Sequence, residues 1–342
     1  MISIAMATYN GERFLEEQLR TLSEQVKLTD EAVFCDGAST DRTPEILVQF
    51  AKRAPFPVQL VINDQRFGWR EDFIKAASLC ASDYIAFCDQ DDFWLPDKSS
   101  VVSRYLDSDR CILLQHGYRL IDDDGNFISC GVRYAQAGRE ILWRINFGFS
   151  QVFHRSLLGF SHLWELSVDL FAEAGMEHDN WIAFLGSLFH KTLAIDDELV
   201  YYRQHNTNVV GCAHPVSAVN IKRNLSAILS RFYSVGDKFK KKREEMIYNM
   251  QRRAMAATAR ERIIELIIPQ VSEEQARLLG GHLQYYREVG RYQSQRLIAY
   301  PSESRIERLQ AAFRDYRQGL YQAQGRRGAR EAIADLVYGV AN

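Results

Sequence analysis

The sequence predicts an α/β protein with a mostly parallel central sheet, followed by a helical C-terminal region. Three observations carry that reading. Short apolar runs alternate with amphipathic helical patterns through about the first 110 residues. Three polar loops, "TYNGE" (8–12), "DGASTD" (36–41) and "DQDD" (89–92), each follow such a run. Charge divides along the chain: residues 1–212 hold 19 Lys and Arg against 31 Asp and Glu, and residues 213–342 hold 23 against 13. The expected domains are therefore 1–212 and 213–342.

The elements follow in order. "ISIAMA" reads as a buried strand. The next helix shows Phe14, Leu15, Gln18, Leu19 and Leu22 on one face. "EAVFC" is a second strand, and Thr43-Pro44-Glu45 opens a helix with Thr43 as N-cap and Pro44 at the first helical position. "VQLVIN", "REDFIKAASLC" and "DYIAFC" give a third strand, a third helix and a fourth strand, which runs straight into Asp89. In parallel α/β sheets ligands bind at the carboxyl ends of the strands, where the three polar loops fall. Beyond residue 110, "CILLQHGYRLIDDDGNFISC" reads as two strands around Asp124-Gly125. Further strands flank a helix at about 178–190. From about 213 the chain reads as helical and basic, with breaks near Pro215, Gly236, Pro269, Gly280-Gly281 and Pro301.

Composition excludes several classes. No apolar run approaches the roughly 18 residues of a membrane span, and "MISIAMATYN" lacks the basic start and long apolar core of a signal peptide. Six cysteines without CxxC spacing argue against a zinc site or a disulfide framework and fit a reducing cytoplasm. An acidic first half with a basic tail is unlike a nucleic-acid reader.

Four constellations carry chemistry. Asp89 and Asp91 lie two apart at a strand end; a hard cation takes one or two such carboxylates and completes its shell with phosphate and water. In "CDGASTD", Asp36 is placed to meet a nucleobase edge, with Ser39 or Asp41 on backbone or ribose; in "TYNGE", Asn10 or Gly11 is alternatively a simple helix cap. In "MEHDNW", Asp179 follows His178 at a helix start, as a cap or as a general base. In "YYRQHNTNVVG", Arg203 offers a fork suited to phosphate and His205 a ligand for metal or phosphate.

Taken together, "ATYNGERFLEEQL", "DGASTDRT", "FCDQDDFWLPDK", "HDNW" and "YRQHNTNVVG" resemble the family 2 glycosyltransferases of the GT-A (Rossmann-like nucleotide-diphospho-sugar transferase) fold over roughly residues 1–212. Within the family they are most similar to bacterial rhamnosyltransferases of surface polysaccharide assembly. The resemblance implies that Thr8, Tyr9, Asn10 and Asp36 line the nucleotide pocket and that Asp89 and Arg203 lie near ribose and diphosphate. It implies that Asp91 and His205 hold Mg²⁺ or Mn²⁺ and that Asp179 is the catalytic base. On the acceptor side it places Trp94, Phe149, Ser150, Gln151 and His178. Where the family often has two aspartates this chain has Cys35-Asp36, and a frequent Asn of the third helix is Asp72.

The implied chemistry is transfer of a sugar from a nucleotide-sugar, with dTDP-L-rhamnose the first expectation and UDP-hexoses the alternative, to a hydroxyl of a growing bacterial cell-surface glycan. One base and in-line attack imply inversion at the anomeric carbon. A non-catalytic glycan- or nucleotide-binding subunit of the same fold is a second reading. A sugar nucleotidyltransferase is a third, for which "MATYNGERF" is a poor phosphate loop. The basic stretch "KFKKKR" (238–243), with Ile228, Leu229, Phe232 and Tyr233 before it, leaves two readings open: a membrane-surface helix over 222–243 that meets a lipid-linked acceptor, or a face that docks on protein, including a homo-oligomer. The expected location is the cytoplasm, at the inner face of the cell membrane in the first of these.

Overall fold

The computed structural model describes residues 1–130, 147–169, 175–205 and 235–299, with Gln310 and Arg314. The chain divides into two compact units, Met1–Glu165 with Ala174–Cys212, and Leu166–Glu173 with Ala213–Asn342.

Among the described residues the first unit is built on one nine-stranded mixed sheet. Its strands are β1 (Ile2–Thr8), β2 (Glu31–Asp36), β3 (Val58–Ile62), β4 (Tyr84–Cys88), β5 (Phe93–Trp94), β6 (Leu113–Ile121), β7 (Phe127–Cys130), β8 (Gln151–His154) and β9 (Thr192–Arg203). The order is β3-β2-β1-β4-β8-β6-β9-β5, with β7 paired to β6. The first four strands are mutually parallel, β6 and β9 are parallel, and β8 enters antiparallel between β4 and β6. The apolar runs give β1 and β4 no exposed face, which suits strands covered on both sides.

Helices α1 (Leu15–Ser23), α2 (Thr43–Ala51), α3 (Trp69–Leu79), α4 (Lys98–Ser103) and α5 (His178–Leu188) follow the periodicity of the sequence. The α1 stripe of Leu15, Gln18, Leu19 and Leu22 is buried. Thr43 does not cap α2: no side-chain cap bond is made there. Its Oγ1 instead accepts the Gly11 N–H at 2.8 Å, while Asp41 Oδ1 accepts the Thr43 N–H at 2.9 Å. The hydroxyl ties two loops together, and the neighbouring carboxylate takes over the cap.

Register positions the site. Thr8 pairs with Asp36, Asp36 with Ile62, and Met6 with Cys88. β1, β2 and β3 end in step and β4 two residues earlier, so Tyr9, Gly37, Asn63 and Asp89 follow along one edge.

In the second unit α6 (Val235–Ile267) and α7 (Glu273–Ala299) pack together. Met250, Ala256, Ala257, Ile263 and Ile264 are buried on α6, and Leu279, Tyr286, Val289 and Tyr292 on α7. Arg287 donates at 2.7 Å to both Glu261 and Glu265. The predicted break at Gly280-Gly281 does not occur, since both glycines lie inside α7, while Gly236 is the second residue of α6 as described and the residues before Val235 lie outside the description. A helical glycine costs about 1 kcal/mol, which packing of the neighbouring apolar residues outweighs. Pro269 does mark a break, a short 3-10 turn between the helices. Pro215, Pro301, Cys212 and residues 222–234 lie outside the described residues, as do the side chains of 238–243. Among the described residues no helix is long and apolar enough to cross a membrane.

Candidate active site

A pocket of about 530 Å³ opens at the carboxyl edge of β1, β2 and β4. Of the residues singled out in the sequence, Thr8, Tyr9, Asn10, Asp89, Asp91, His178, Asp179 and His205 line it. These come from four separate stretches spanning nearly 200 positions, so the fold alone brings them together.

The acidic loop is the floor of the site. Burial, then repulsion from Asp91, pushes the Asp89 carboxyl up to about 7, against the attraction of Lys98. Lys98 is buried beneath it. Its ammonium donates to the Phe149 carbonyl at 2.8 Å and lies 3.6 Å from the Trp94 ring centre. Burial pushes that amine down to about 7. Asp91 Oδ2 sits 2.9 Å from His205 Nε2, and the His205 ring lies against Phe14, centroids 4.9 Å apart. Gln90 clamps the loop to β1: its Oε1 accepts the Tyr9 N–H at 2.9 Å and its Nε2 donates to the Tyr9 carbonyl at 3.2 Å.

Asp91 and His205, a carboxylate and an imidazole side by side, fit a hard or borderline cation as donors. Two protein ligands are what Mg²⁺ or Mn²⁺ takes when phosphate and water complete its shell. Carboxylates crowded at Asp89 and Asp91 gain from a positive charge between them. Among the described residues no cluster of three His, Cys, Asp or Glu side chains forms a metal cage, so a cation here relies on its substrate for further ligands.

Asp179 faces the loop from the first turn of α5. Burial, followed by repulsion from Glu177 and Asp89, raises its carboxyl to about 8, against hydrogen bonds from the Asn180 and Gly148 backbones. Gln151 Nε2 donates to the Asp179 carbonyl at 3.0 Å, fixing the start of the helix. His178 is stacked on Phe73 at 4.0 Å and edge-on to Phe87. Burial and Arg70 hold it down at about 3, so the imidazole is neutral.

Other singled-out residues stand behind the wall. Asp36 is fully buried; its Oδ1 accepts from Thr8 Oγ1 at 2.9 Å and from Ser39 Oγ at 2.6 Å, and its Oδ2 from the Ser39 N–H at 2.8 Å. Arg203 braces the acidic loop instead of facing the pocket. Its Nε donates to the Asp91 carbonyl at 3.1 Å, Nη1 to the Asp123 carbonyl at 3.0 Å, and Nη2 to Glu17. Its own N–H reaches Asp92 at 3.2 Å. Trp94, Phe149, Ser150 and Gln151 are buried and support the loop and α5 from beneath. The sequence reading missed Gln90, Arg66, Trp69, Asp72, Phe73, Gly148 and Glu177, all of which line the pocket. Only Asp72 carried a signal, an acid where a neutral amide is frequent.

Residues 3–160 match the model of "Glycosyl transferase family 2". The matched segment, just under half of the 342-residue chain, is similar to this family. The chain is 39% identical over 97 residues to the dTDP-rhamnosyl transferase RfbG of Shigella flexneri, covering 27% of this chain and 34% of that protein. It is 32% identical over 116 residues to the abequosyltransferase RfbV of Salmonella typhimurium, covering 33% and 35%. These matches span about a third of the relatives' own lengths. The fold is similar to that of S. aureus TarS residues 1–349, solved in complex with UDP-GlcNAc. The TM-score is 0.51 at 17% identity, over 86% of this chain and 91% of that one. The first unit thus has a GT-A-like fold, with a helical region after it in the chain.

Proposed function

We propose that this chain is a metal-dependent, inverting glycosyltransferase that moves L-rhamnose from dTDP-L-rhamnose to a hydroxyl of a growing bacterial surface glycan. The observation that carries the transferase reading is the convergence of Asp89, Asp91, His205 and Asp179 on one pocket beside Thr8 and Tyr9. The name of the Shigella relative supports the donor.

Each residue then has a task. Thr8, Tyr9 and Asn10 border the nucleotide, and Asp89 faces the ribose and diphosphate. Asp91 and His205 hold Mg²⁺ or Mn²⁺, which when bound supplies charge stabilisation to the departing nucleoside diphosphate. Asp179 takes the proton from the acceptor hydroxyl as that oxygen attacks the anomeric carbon opposite the leaving group, giving inversion. A carboxylate raised to about 8 is a stronger base than a solvated one, and it sits near the pH at which it must work. The neutral His178 beside it adds no competing charge.

Residues 213–342 are proposed as the contact region of the protein. Their excess of basic over acidic residues favours an anionic partner surface, and sedimentation with vesicles with and without acidic lipid separates a membrane from a protein partner. The central test is release of nucleoside diphosphate from a panel of dTDP-, UDP- and GDP-sugars with Mg²⁺ or Mn²⁺. Turnover of a dTDP-sugar that is lost in Asp91→Asn supports the reading. Donor binding without turnover, even with a full acceptor panel, supports a non-catalytic subunit.

A further inference from the structure

One buried carboxylate in the pocket wall has no part in the roles above. Asp72, in the first turn of α3, is only 3% exposed, yet it lines the pocket together with Thr8, Tyr9 and Gly37. Its two oxygens are not equivalent. Oδ1 accepts from Asn63 Nδ2 at 2.7 Å and lies 3.6 Å from Cys35 Sγ. Asn63 is oriented in turn, because Lys75 Nζ donates to its Oδ1 at 2.7 Å and so turns the amide NH₂ toward Asp72. Oδ2 has no hydrogen-bond donor among the described residues. It stands over Gly37, 2.7 Å from the point a Cβ at that position would occupy. Glycine at 37 therefore leaves open the space that the Asp72 carboxylate fills.

The other candidate for this task is committed elsewhere. Both oxygens of Asp36 are taken by Thr8 and Ser39, and Asp36 is absent from the pocket wall. Asp72 Oδ2 instead opens on the space in which a ligand would sit, where an acceptor can take a donor from that ligand.

We propose that Asp72 reads the nucleobase of the donor, accepting through Oδ2 the imide N–H of a diketo pyrimidine, thymine or uracil. The inference rests on the nucleotide-sugar reading above. An ionised carboxylate only accepts. Thymine and uracil offer one ring N–H flanked by two carbonyls, which matches one available oxygen. Guanine offers two adjacent donors on its N1 and exocyclic amine, which call for both oxygens, and Oδ1 is already engaged by Asn63. Cytosine turns the lone pair of its ring nitrogen toward the carboxylate, and adenine places an acceptor beside its amine. Tyr9, with the Arg66 guanidinium 4.0 Å above its ring, gives the same wall a flat face against which a base can lie.

The arrangement predicts a change of preference as well as a loss of affinity. In Asp72→Asn, Asn63 still demands an acceptor at the Oδ1 position, so the new amide turns its NH₂ into the pocket. An acceptor becomes a donor, which repels the imide N–H and suits the ring nitrogen of cytosine.

The test is calorimetric titration of the full chain, in the presence of Mg²⁺, with UDP, dTDP, CDP, GDP and N3-methyl-UDP. For the wild-type protein UDP and dTDP are expected to bind about tenfold to a hundredfold more tightly than CDP, GDP and N3-methyl-UDP, the range for one hydrogen bond to a charged group. In Asp72→Asn the preference of UDP over CDP is expected to disappear or reverse. Equal binding of UDP and N3-methyl-UDP, a wild-type preference for GDP or CDP, or an unchanged order in Asp72→Asn overturns the assignment of Asp72 and leaves the transferase reading standing. Binding of none of these nucleotides by the wild-type protein overturns both. The N3-methyl comparison needs no variant, so the assignment stays testable if Asp72→Asn fails to fold.

Discussion

Replacing Arg203 by alanine separates two roles for this residue, a direct contact with the diphosphate and a brace behind the acidic loop. The side chain is 4% exposed. It supplies donors to the carbonyls of Asp91 and Asp123, and its guanidinium lies 4.8 Å from the Phe14 ring centre. Its ion pair with Glu17 counts for little, since Glu17 is 44% exposed and regains water. The two carbonyls left without their donor cost about 1.5 kcal/mol each, so Arg203→Ala should lose about 3 kcal/mol. For a unit of this size each kcal/mol lowers the melting temperature by about 2–4 °C, giving a fall of about 6–12 °C by circular dichroism. Arg203→Lys keeps one donor and should lose about half as much. The same samples are titrated with dTDP and Mg²⁺. A melting temperature equal to that of the wild type, together with strongly weakened dTDP binding, would refute the brace and restore Arg203 to the diphosphate.

The remaining predictions concern the pocket. Asp179→Asn should retain dTDP binding and lose turnover by about a hundredfold to ten-thousandfold, the range for a general base; equal rates would remove Asp179 from the chemistry. In the wild type kcat/KM should rise with pH through about 8, because the base works only after Asp179 has released its proton. The folded value lies above the ordinary carboxylate value of 3.8, so the folded state keeps a proton that the unfolded chain has lost. This group's contribution to stability therefore falls as pH climbs from about 4 to about 8, and urea melts of Asp179→Asn should show a flatter pH dependence. Gly11→Ala would set a Cβ 2.3 Å from Gln90 Oε1, so it should break the clamp on Tyr9 and weaken nucleotide binding about tenfold; unchanged titration curves would show that the clamp is dispensable. Chelation of divalent ions should abolish turnover, with recovery on adding Mn²⁺, and Asp91→Asn should not recover.

Much of the first unit was legible because its signals are local. The alternation from Ile2 to Cys88 named four strands and three helices, and the loops after β1, β2 and β4 were recognised as the site edge. Asp89 and Asp91 were singled out because their loop follows a fourth parallel-type strand beside two other polar loops, and Asp179 and His205 gained their roles from the family resemblance; all four reach the pocket. Thr43 looked like a cap because its neighbours suit one, but a cap bond depends on where the hydroxyl turns, and a loop 32 positions away claimed it. Gly280 and Gly281 looked like a break because propensity is local, whereas the packing that keeps α7 whole is not.

What the sequence determined by itself was the parallel βα half, its family resemblance and the acidic character of the site, since each rests on residue type and spacing. The tertiary structure decided which polar groups remain available to a ligand. Asp36 and Asp72 are both acids near strand or helix ends, but hydrogen bonds from Thr8 and Ser39 use up the first, while Gly37 opens a place for the second. Arg203 meets Glu17 across 186 positions and turns away from the pocket. A side chain's partners are fixed by strand order and register, and β8 entering antiparallel between β4 and β6 leaves no local trace in the residues on either side.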